Sequence, residues 1–113
     1  MLDIVEYIKN NNLEKVKQCI EKDNSLVDAR DEESKFTLLM ICAKKGYFEM
    51  TKLLVENGAN LNSRSKTGLT ALMFACAEKQ IEIAKYLIDC GADVNLRDRP
   101  MFSALLYGSL TKE

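Results

Sequence analysis

Apolar residues at the start of the chain recur at helical spacing in two short segments. Residues 2–10 and 13–22 each place apolar side chains three or four positions apart, which puts them on one face of a helix. The asparagines at positions 10–12 interrupt this pattern, because short amide side chains compete for backbone hydrogen bonds. The two segments therefore predict a helix hairpin with a short connection. The predicted inward residues are Leu2, Ile4, Val5, Ile8, Leu13, Val16, Cys19 and Ile20.

The same apolar pattern predicts two more helix pairs further along the chain. One pair covers residues 38–45 and 48–57, and the next covers residues 71–78 and 81–89. A threonine that can cap the first helix precedes each pair, and glycines follow the predicted helices at positions that favour a left-handed residue. The capping and stopping residues are Thr37, Thr70, Gly46, Gly58 and Gly91. The predicted inward residues of the second helices are Phe48, Thr51, Leu54, Val55, Ile81, Ala84, Leu87 and Ile88.

The sequence of residues 37–62 recurs, in register, as residues 70–95. A period in the low thirties is typical of a stacked helical array, in which each helix pair buries its apolar face against its neighbours. Polar loops at residues 24–36 and 62–69 separate the pairs. After Pro100, which forbids a helix at that point, Ser103 can cap one last helix. This final half repeat is either a cap on the stack or the cut end of a longer array.

The recurring residues carry a resemblance to a known family. The order Gly68, Thr70, Leu72 and Ala75, followed by an amphipathic helix and residues 91–95 (GADVN), resembles the ankyrin repeat. The resemblance implies an all-α solenoid of stacked antiparallel helix pairs with loops that project as β-hairpin fingers. It divides one domain into a divergent N-terminal repeat (1–29), two repeats (30–62 and 63–95) and a partial C-terminal repeat (96–113).

The chain departs from the family pattern at a few positions in each repeat. Met40 and Met73 stand where the family commonly has histidine, so the Thr–His hydrogen bond of the family is missing and thioether packing is expected to replace it. Lys79 stands where a glycine usually ends the first helix, and Lys35 and Met101 stand at the glycine position of the loops. These departures predict fingers that are less regular than the family average.

Charge and residue composition exclude several classes of function. The 16 basic and 17 acidic residues nearly balance, so the net charge gives no case for nucleic acid or membrane binding. No apolar run is long enough to span a bilayer, and the N-terminus does not read as a signal peptide. The four cysteines form no C-x-x-C pair, which favours reduced thiols and a cytoplasmic location.

Catalytic chemistry has little support in the sequence. The chain has no histidine, so the commonest general base and the usual zinc spacings are missing. The carboxylates of Asp31, Glu32 and Glu33, with Asp28, are expected to be exposed in a hydrated loop. The sequence therefore predicts a protein that is not an enzyme and needs no cofactor or metal.

The resemblance implies that fingers and first helices contact a protein partner. Candidate finger residues are Asp31, Glu33, Phe36, Arg64, Lys66, Leu69, Arg97, Arg99 and Phe102, and candidate first-helix residues are Lys44, Lys45, Ala77 and Glu78. The apolar residues just before each cap form a column that either anchors a partner or packs against the neighbouring finger. The basic fingers that carry Arg64, Lys66, Arg97 and Arg99 are hypothesised to face an acidic patch on the partner.

The function that these features favour is that of a non-enzymatic, monomeric protein-interaction module. The alternative is a targeting or regulatory segment of a larger enzyme or effector. Neither the identity of the partner nor the length of the parent array follows from the residues.

Overall fold

The computed structural model describes residues 3–93, which form three antiparallel helix pairs stacked side by side. Residues 96–113, and with them the predicted last helix, lie outside this range. A 3-10 helix lies in the first connecting loop, which the sequence pattern had predicted to be irregular. The helices are α1 (Asp3–Lys9), α2 (Leu13–Lys22), the 3-10 helix (Asn24–Asp28), α3 (Leu38–Lys45), α4 (Phe48–Glu56), α5 (Ala71–Ala77) and α6 (Ile81–Asp89).

The first helices of the second and third pairs, α3 and α5, are each capped by a threonine, as the sequence predicted. The hydroxyl of Thr37 accepts the N–H of Met40 at 3.2 Å, and that of Thr70 accepts the N–H of Met73 at 3.4 Å. The Sδ atom of Met40 in turn accepts the N–H of Thr37 at 3.4 Å. The thioether thus satisfies a helix-terminal donor that packing alone would leave unpaired, although sulfur is a weak acceptor.

Helix α3 lies at the centre of the stack. It packs against α1, α4 and α5, so neighbouring elements cover it on three sides. All six residues from Leu38 to Ala43 are buried as a result, and a helix that is apolar nearly all round is a buried one. The polar part of α3 is confined to its last turn, where Lys44 and Lys45 are exposed.

The predicted faces of the second helices are partly wrong. Leu54 and Leu87 are fully buried as predicted, but Met50 and Ile83, which the pattern had not included, are also buried. The second helices pack against their own first helix and also against each other, so their buried face is turned further towards the next pair. Four residues predicted to be inward are only half-buried: Phe48, Val55, Ile81 and Ile88.

Side-chain oxygens tie successive repeats together at equivalent positions. The carboxylate of Asp28 accepts the N–H of Asn60 at 2.8 Å. The amide oxygen of Asn62 accepts the N–H of Asp93 at 2.8 Å, one repeat further on. The asparagine that ends the repeat motif therefore bonds the backbone of the following repeat, which fixes the stacking register.

The two described fingers are tight turns. The first closes through an isolated antiparallel bridge between Arg30 and Thr37, and in the second the N–H of Ser65 donates to the carbonyl of Leu69 at 2.8 Å. Residues 3–93 contain no strand, so these loops lack the strand pairing of the β-hairpin fingers that the resemblance implied. Lys35 adopts a φ of +64° at the tip of the first finger.

Candidate functional site

The candidate residues that the structure describes belong to the first helices and the fingers, which together are here called the inner face. This face consists of the first helices α1, α3 and α5 with the two described fingers, residues 30–37 and 64–70. Arg97, Arg99 and Phe102 lie outside the described residues, so their binding role and the basic last finger stay predictions.

Asp31 is buried, which corrects the prediction that it is exposed. Only 7% of its surface is accessible, and its carboxylate contacts the Lys9 ammonium at 2.8 Å. The hydrogen bond from Lys9 holds the pKa of Asp31 below its usual value, with a further contribution from the N–H of Glu33, which donates to the carboxylate at 2.8 Å. The same hydrogen bond raises the pKa of Lys9. Asp31 thus joins α1 to the first finger, because a carboxylate leaves water only when paired.

Glu33 and Glu32 remain exposed beside Asp31, as predicted. Together with Glu6 they surround a shallow depression of about 230 Å³ between α1 and the first finger. Lys9 and Asp31 form one wall of this acidic depression.

Phe36 packs against the next repeat. Its ring centroid lies 5.0 Å from that of Phe74 in α5, with the rings tilted by 55°. Phe36 is half-buried, so one part of the ring supports the stack and the rest stays on the inner face. The sequence had left open an anchor or packing against the neighbouring finger, and the observed neighbour is a helix. Leu69 is also half-buried and packs against the core.

The first-helix candidates Lys44 and Glu78 are brought together across two repeats. The ammonium of Lys44 lies 3.3 Å from the carboxylate of Glu78, and both side chains are nearly half exposed. Ion pairs of this exposed kind contribute little to stability. Lys45 and Ala77 are exposed on the same face, and Lys45 has no ion pair within residues 3–93.

Arg30 and Arg64 form hydrogen bonds that stabilise the fingers. One guanidinium nitrogen of Arg30 donates to the carbonyls of Lys35 at 2.7 Å and Arg64 at 3.1 Å, which joins the two fingers. Arg64 donates to the carbonyl of Gly68 at 3.1 Å. Lys66 is exposed at the tip of the second finger. Arg64 is exposed too, and a hydrogen bond to a neutral carbonyl does not cancel its charge, so both described basic candidates of this finger, Arg64 and Lys66, present a positive charge at the surface.

A second depression, here called the inner groove, lies beside the acidic one and shares Lys9 and Asp31 with it. The inner groove measures about 220 Å³, and its lining comprises Lys9, Asp31, Ser34, Phe36, Ile41, Lys44 and Lys45. The sequence had identified four of these as binding candidates. The sequence did not identify Lys9, whose position indicates the polar face of α1, or Ile41, whose position indicates the core. Both residues come to lie beside the finger only when the chain folds.

The two buried thiols, Cys42 and Cys76, are poor nucleophiles, and the described part of the chain holds no metal-binding cluster. Burial raises the pKa of the Cys42 thiol to about 12 and that of Cys76 to about 11. Among residues 3–93 no group of three or more acidic or sulfur ligands lies close enough to hold a metal ion. No helix in that range is both long and apolar enough to cross a bilayer.

Comparison with known proteins agrees with this architecture. Stacked helix pairs joined by fingers define a repeat solenoid, and the family model "Ankyrin repeats (3 copies)" matches residues 4–98. The chain belongs to the ankyrin-repeat family. Members of this family serve as protein-interaction modules, and their repeats are typically not catalytic.

Two proteins that are similar to this chain are longer than it is. The "Acyl-CoA-binding domain-containing protein 6 homolog" of Dictyostelium discoideum is 39% identical over 59 residues, which are 52% of this chain and 20% of that protein. A chain in the structure of a predatory endopeptidase from Bdellovibrio bacteriovorus in complex with an immunity protein is similar in fold. It has a TM-score of 0.73 and 24% identity, over 96% of this chain and 64% of that one. The chain thus spans about a fifth of the curated relative that it matches.

Proposed function

We propose that this chain is a non-enzymatic module that binds a protein partner through its inner face. The observation that carries the proposal is the inner groove, where α1, the first finger and α3 contribute side chains to a single depression. An extended surface built from equivalent positions of successive repeats is the usual binding surface of a solenoid. The same face also carries three exposed residues, Lys45, Lys66 and Ala77. No structural role of these residues explains their exposure.

The size of the inner groove favours a protein partner over a small ligand. Its volume of about 220 Å³ lies below the roughly 300–1,000 Å³ typical of small-molecule and cofactor pockets. A depression of this size accommodates a single side chain of a partner, as in the anchor pockets of protein interfaces.

Affinity capture from the native lysate tests this proposal when exposed lysines on different faces are compared. Lys45→Glu combined with Lys66→Glu changes the inner face. Lys15→Glu combined with Lys17→Glu on α2 is the matched control, since both lysines are exposed on a second helix and the net charge changes by the same amount. A partner that binds the inner face is retained by the control and lost from the inner-face double variant. Equal retention by both variants would contradict the proposal.

The alternative is that the chain acts as a targeting or regulatory segment of a larger enzyme or effector. The relative from Dictyostelium, which is named for an acyl-CoA-binding domain and of which the match covers only 20%, favours this alternative. Sequencing the transcript beyond both ends of the chain tests it. A continuous reading frame into a catalytic or ligand-binding domain supports the alternative, and stop codons flanking the chain exclude it.

A reducing, cytoplasmic location is part of the same proposal. All four cysteines, Cys19, Cys42, Cys76 and Cys90, are free thiols in the structure, and disulfides are rare in reducing compartments. Fractionation of the native source with an antibody against the chain tests the location.

A further inference from the structure

The inner groove combines an apolar floor with a cationic rim. Its floor is formed by the half-buried ring of Phe36 and by Ile41, of which 5% is accessible. Three lysines and a single aspartate are among its lining residues. Because the exposed lining is almost wholly apolar, the lysines line the groove with their methylene stems, and their ammonium groups stand at its rim. The floor therefore accepts an apolar side chain, and the rim favours negative charge around it.

The charges of the rim are not equivalent. Lys9 is held by Asp31 at 2.8 Å, so this pair contributes little net charge. Lys44 shares its charge with Glu78 at 3.3 Å, in an exposed pair that solvent screens. Lys45 has no such partner within residues 3–93 and is exposed beside the groove. Lys45 is thus the principal uncompensated charge at the mouth.

We infer that the inner groove binds an acidic protein segment that inserts one large apolar side chain between Phe36 and Ile41 and places carboxylates against Lys45 and Lys44. The inference rests on the proposed function and adds the chemistry of the partner. Burial of the apolar side chain supplies affinity, and the carboxylates supply charge complementarity, which steers association and selects the partner.

The neighbouring acidic depression limits where the carboxylates of that segment can lie. Glu6, Glu32 and Glu33 surround it on the far side of the Lys9–Asp31 pair. A carboxylate placed there would meet like charges, which disfavours binding. The acidic part of the segment therefore runs over the last turn of α3, away from α1.

Selection of random peptides displayed on phage tests this inference without knowledge of the natural partner. The full chain, the Lys45→Glu variant and the Lys17→Glu control are used as separate targets at low ionic strength. Peptides enriched on the full chain and on the control are expected to carry Asp or Glu next to one large apolar residue. The Lys45→Glu variant is expected to lose these peptides.

Fluorescence anisotropy with a synthetic peptide from the enriched set measures how much each substitution changes the Kd. Lys45→Glu is expected to raise its Kd roughly three- to tenfold, because an attraction at an exposed site becomes a repulsion, while Lys17→Glu leaves the Kd unchanged. Replacing the apolar residue of the peptide by Ser should weaken binding about tenfold or more. That change tests the floor of the groove without disturbing the fold of the protein.

Three results would overturn the inference, and they separate it from the proposed function. Enriched peptides that are basic around the apolar residue and bind Lys45→Glu more tightly would contradict the acidic partner but keep the inner face as the binding surface. Peptides that bind Lys45→Glu and Lys17→Glu equally well would contradict the groove as the site of an acidic segment. A selection in which nothing is enriched over the unselected library would contradict it as well, and in both cases the capture experiment with the inner-face double variant still decides the proposed function.

Discussion

Lys79 holds a backbone conformation that glycine adopts at the same place in the preceding repeat. Its φ is +59°, and that of Gly46 at the end of α3 is +81°. A residue with a Cβ in this left-handed region is disfavoured by about 1–2 kcal/mol, because the Cβ approaches the following carbonyl oxygen. Glycine lowers stability by about 0.5–1 kcal/mol through the greater freedom of the unfolded chain. The substitution Lys79→Gly should therefore stabilise the fold by about 0.5–1 kcal/mol as the difference of these two effects.

Urea unfolding followed by far-UV circular dichroism measures this gain. With a denaturant dependence of about 1–3 kcal/mol per molar urea, the midpoint of Lys79→Gly should rise by roughly 0.2–1 M. Lys79→Ala is the matched control, because it removes the exposed side chain but keeps the Cβ, and its midpoint should stay close to that of the wild type.

The converse change at the equivalent position completes the comparison. A Cβ added at Gly46 would lie 2.7 Å from Oε1 of Gln80, in addition to the unfavourable φ. Gly46→Ala should therefore destabilise the fold by about 1–2 kcal/mol. If the urea midpoint of Lys79→Gly were no higher than that of Lys79→Ala, the left-handed backbone at this turn would not be a source of strain, and the prediction would be refuted.

Three further predictions follow from burial and charge. Leu87→Ala should destabilise the fold by roughly 2–5 kcal/mol, because this side chain of α6 is fully buried in the core; an unchanged urea midpoint would contradict the assigned packing. The pKa of Asp31 is lowered in the fold, so its ion pair stabilises the protein above the unfolded value of 3.8 and this stability is lost as the pH falls through the lower folded pKa. Asp31→Asn should therefore reduce the loss of unfolding free energy that acidic pH causes. Glu32→Gln, at an exposed neighbour, should keep the pH dependence of the wild type. Alkylation of the native protein should modify exposed Cys90 well before buried Cys42, whose thiol pKa is raised to about 12; mass spectrometry that found equal rates would contradict the burial of α3.

The helices of the described repeats were predictable because their signals are local. Thr37 and Thr70 cap helices within their own next three residues, and a repeated sequence makes the same signal appear twice. Burial of Leu54 and Leu87 followed from helical spacing alone. The spacing did not identify Met50 and Ile83, because their burial depends on how the second helices of adjacent pairs pack against each other.

The candidate site was less predictable, because its organising contact is not local. Asp31 lies in a run of three acidic residues, which normally indicates a hydrated loop. Its burial depends on Lys9, which comes from a different repeat and meets it only after the stack has formed. The family pattern assigned Phe36, Lys44 and Lys45 to the fingers and first helices, but the groove that joins them with Ile41 depends on the same non-local packing.

The most direct test of the central claim is amide hydrogen exchange of the chain with and without its captured partner. If the inner face binds the partner, the complex should protect residues 30–36 and the last turn of α3, while the exposed face of α2 exchanges as in the free chain. Protection confined to α2, α4 and α6, with the first finger and α3 unchanged, would contradict the account.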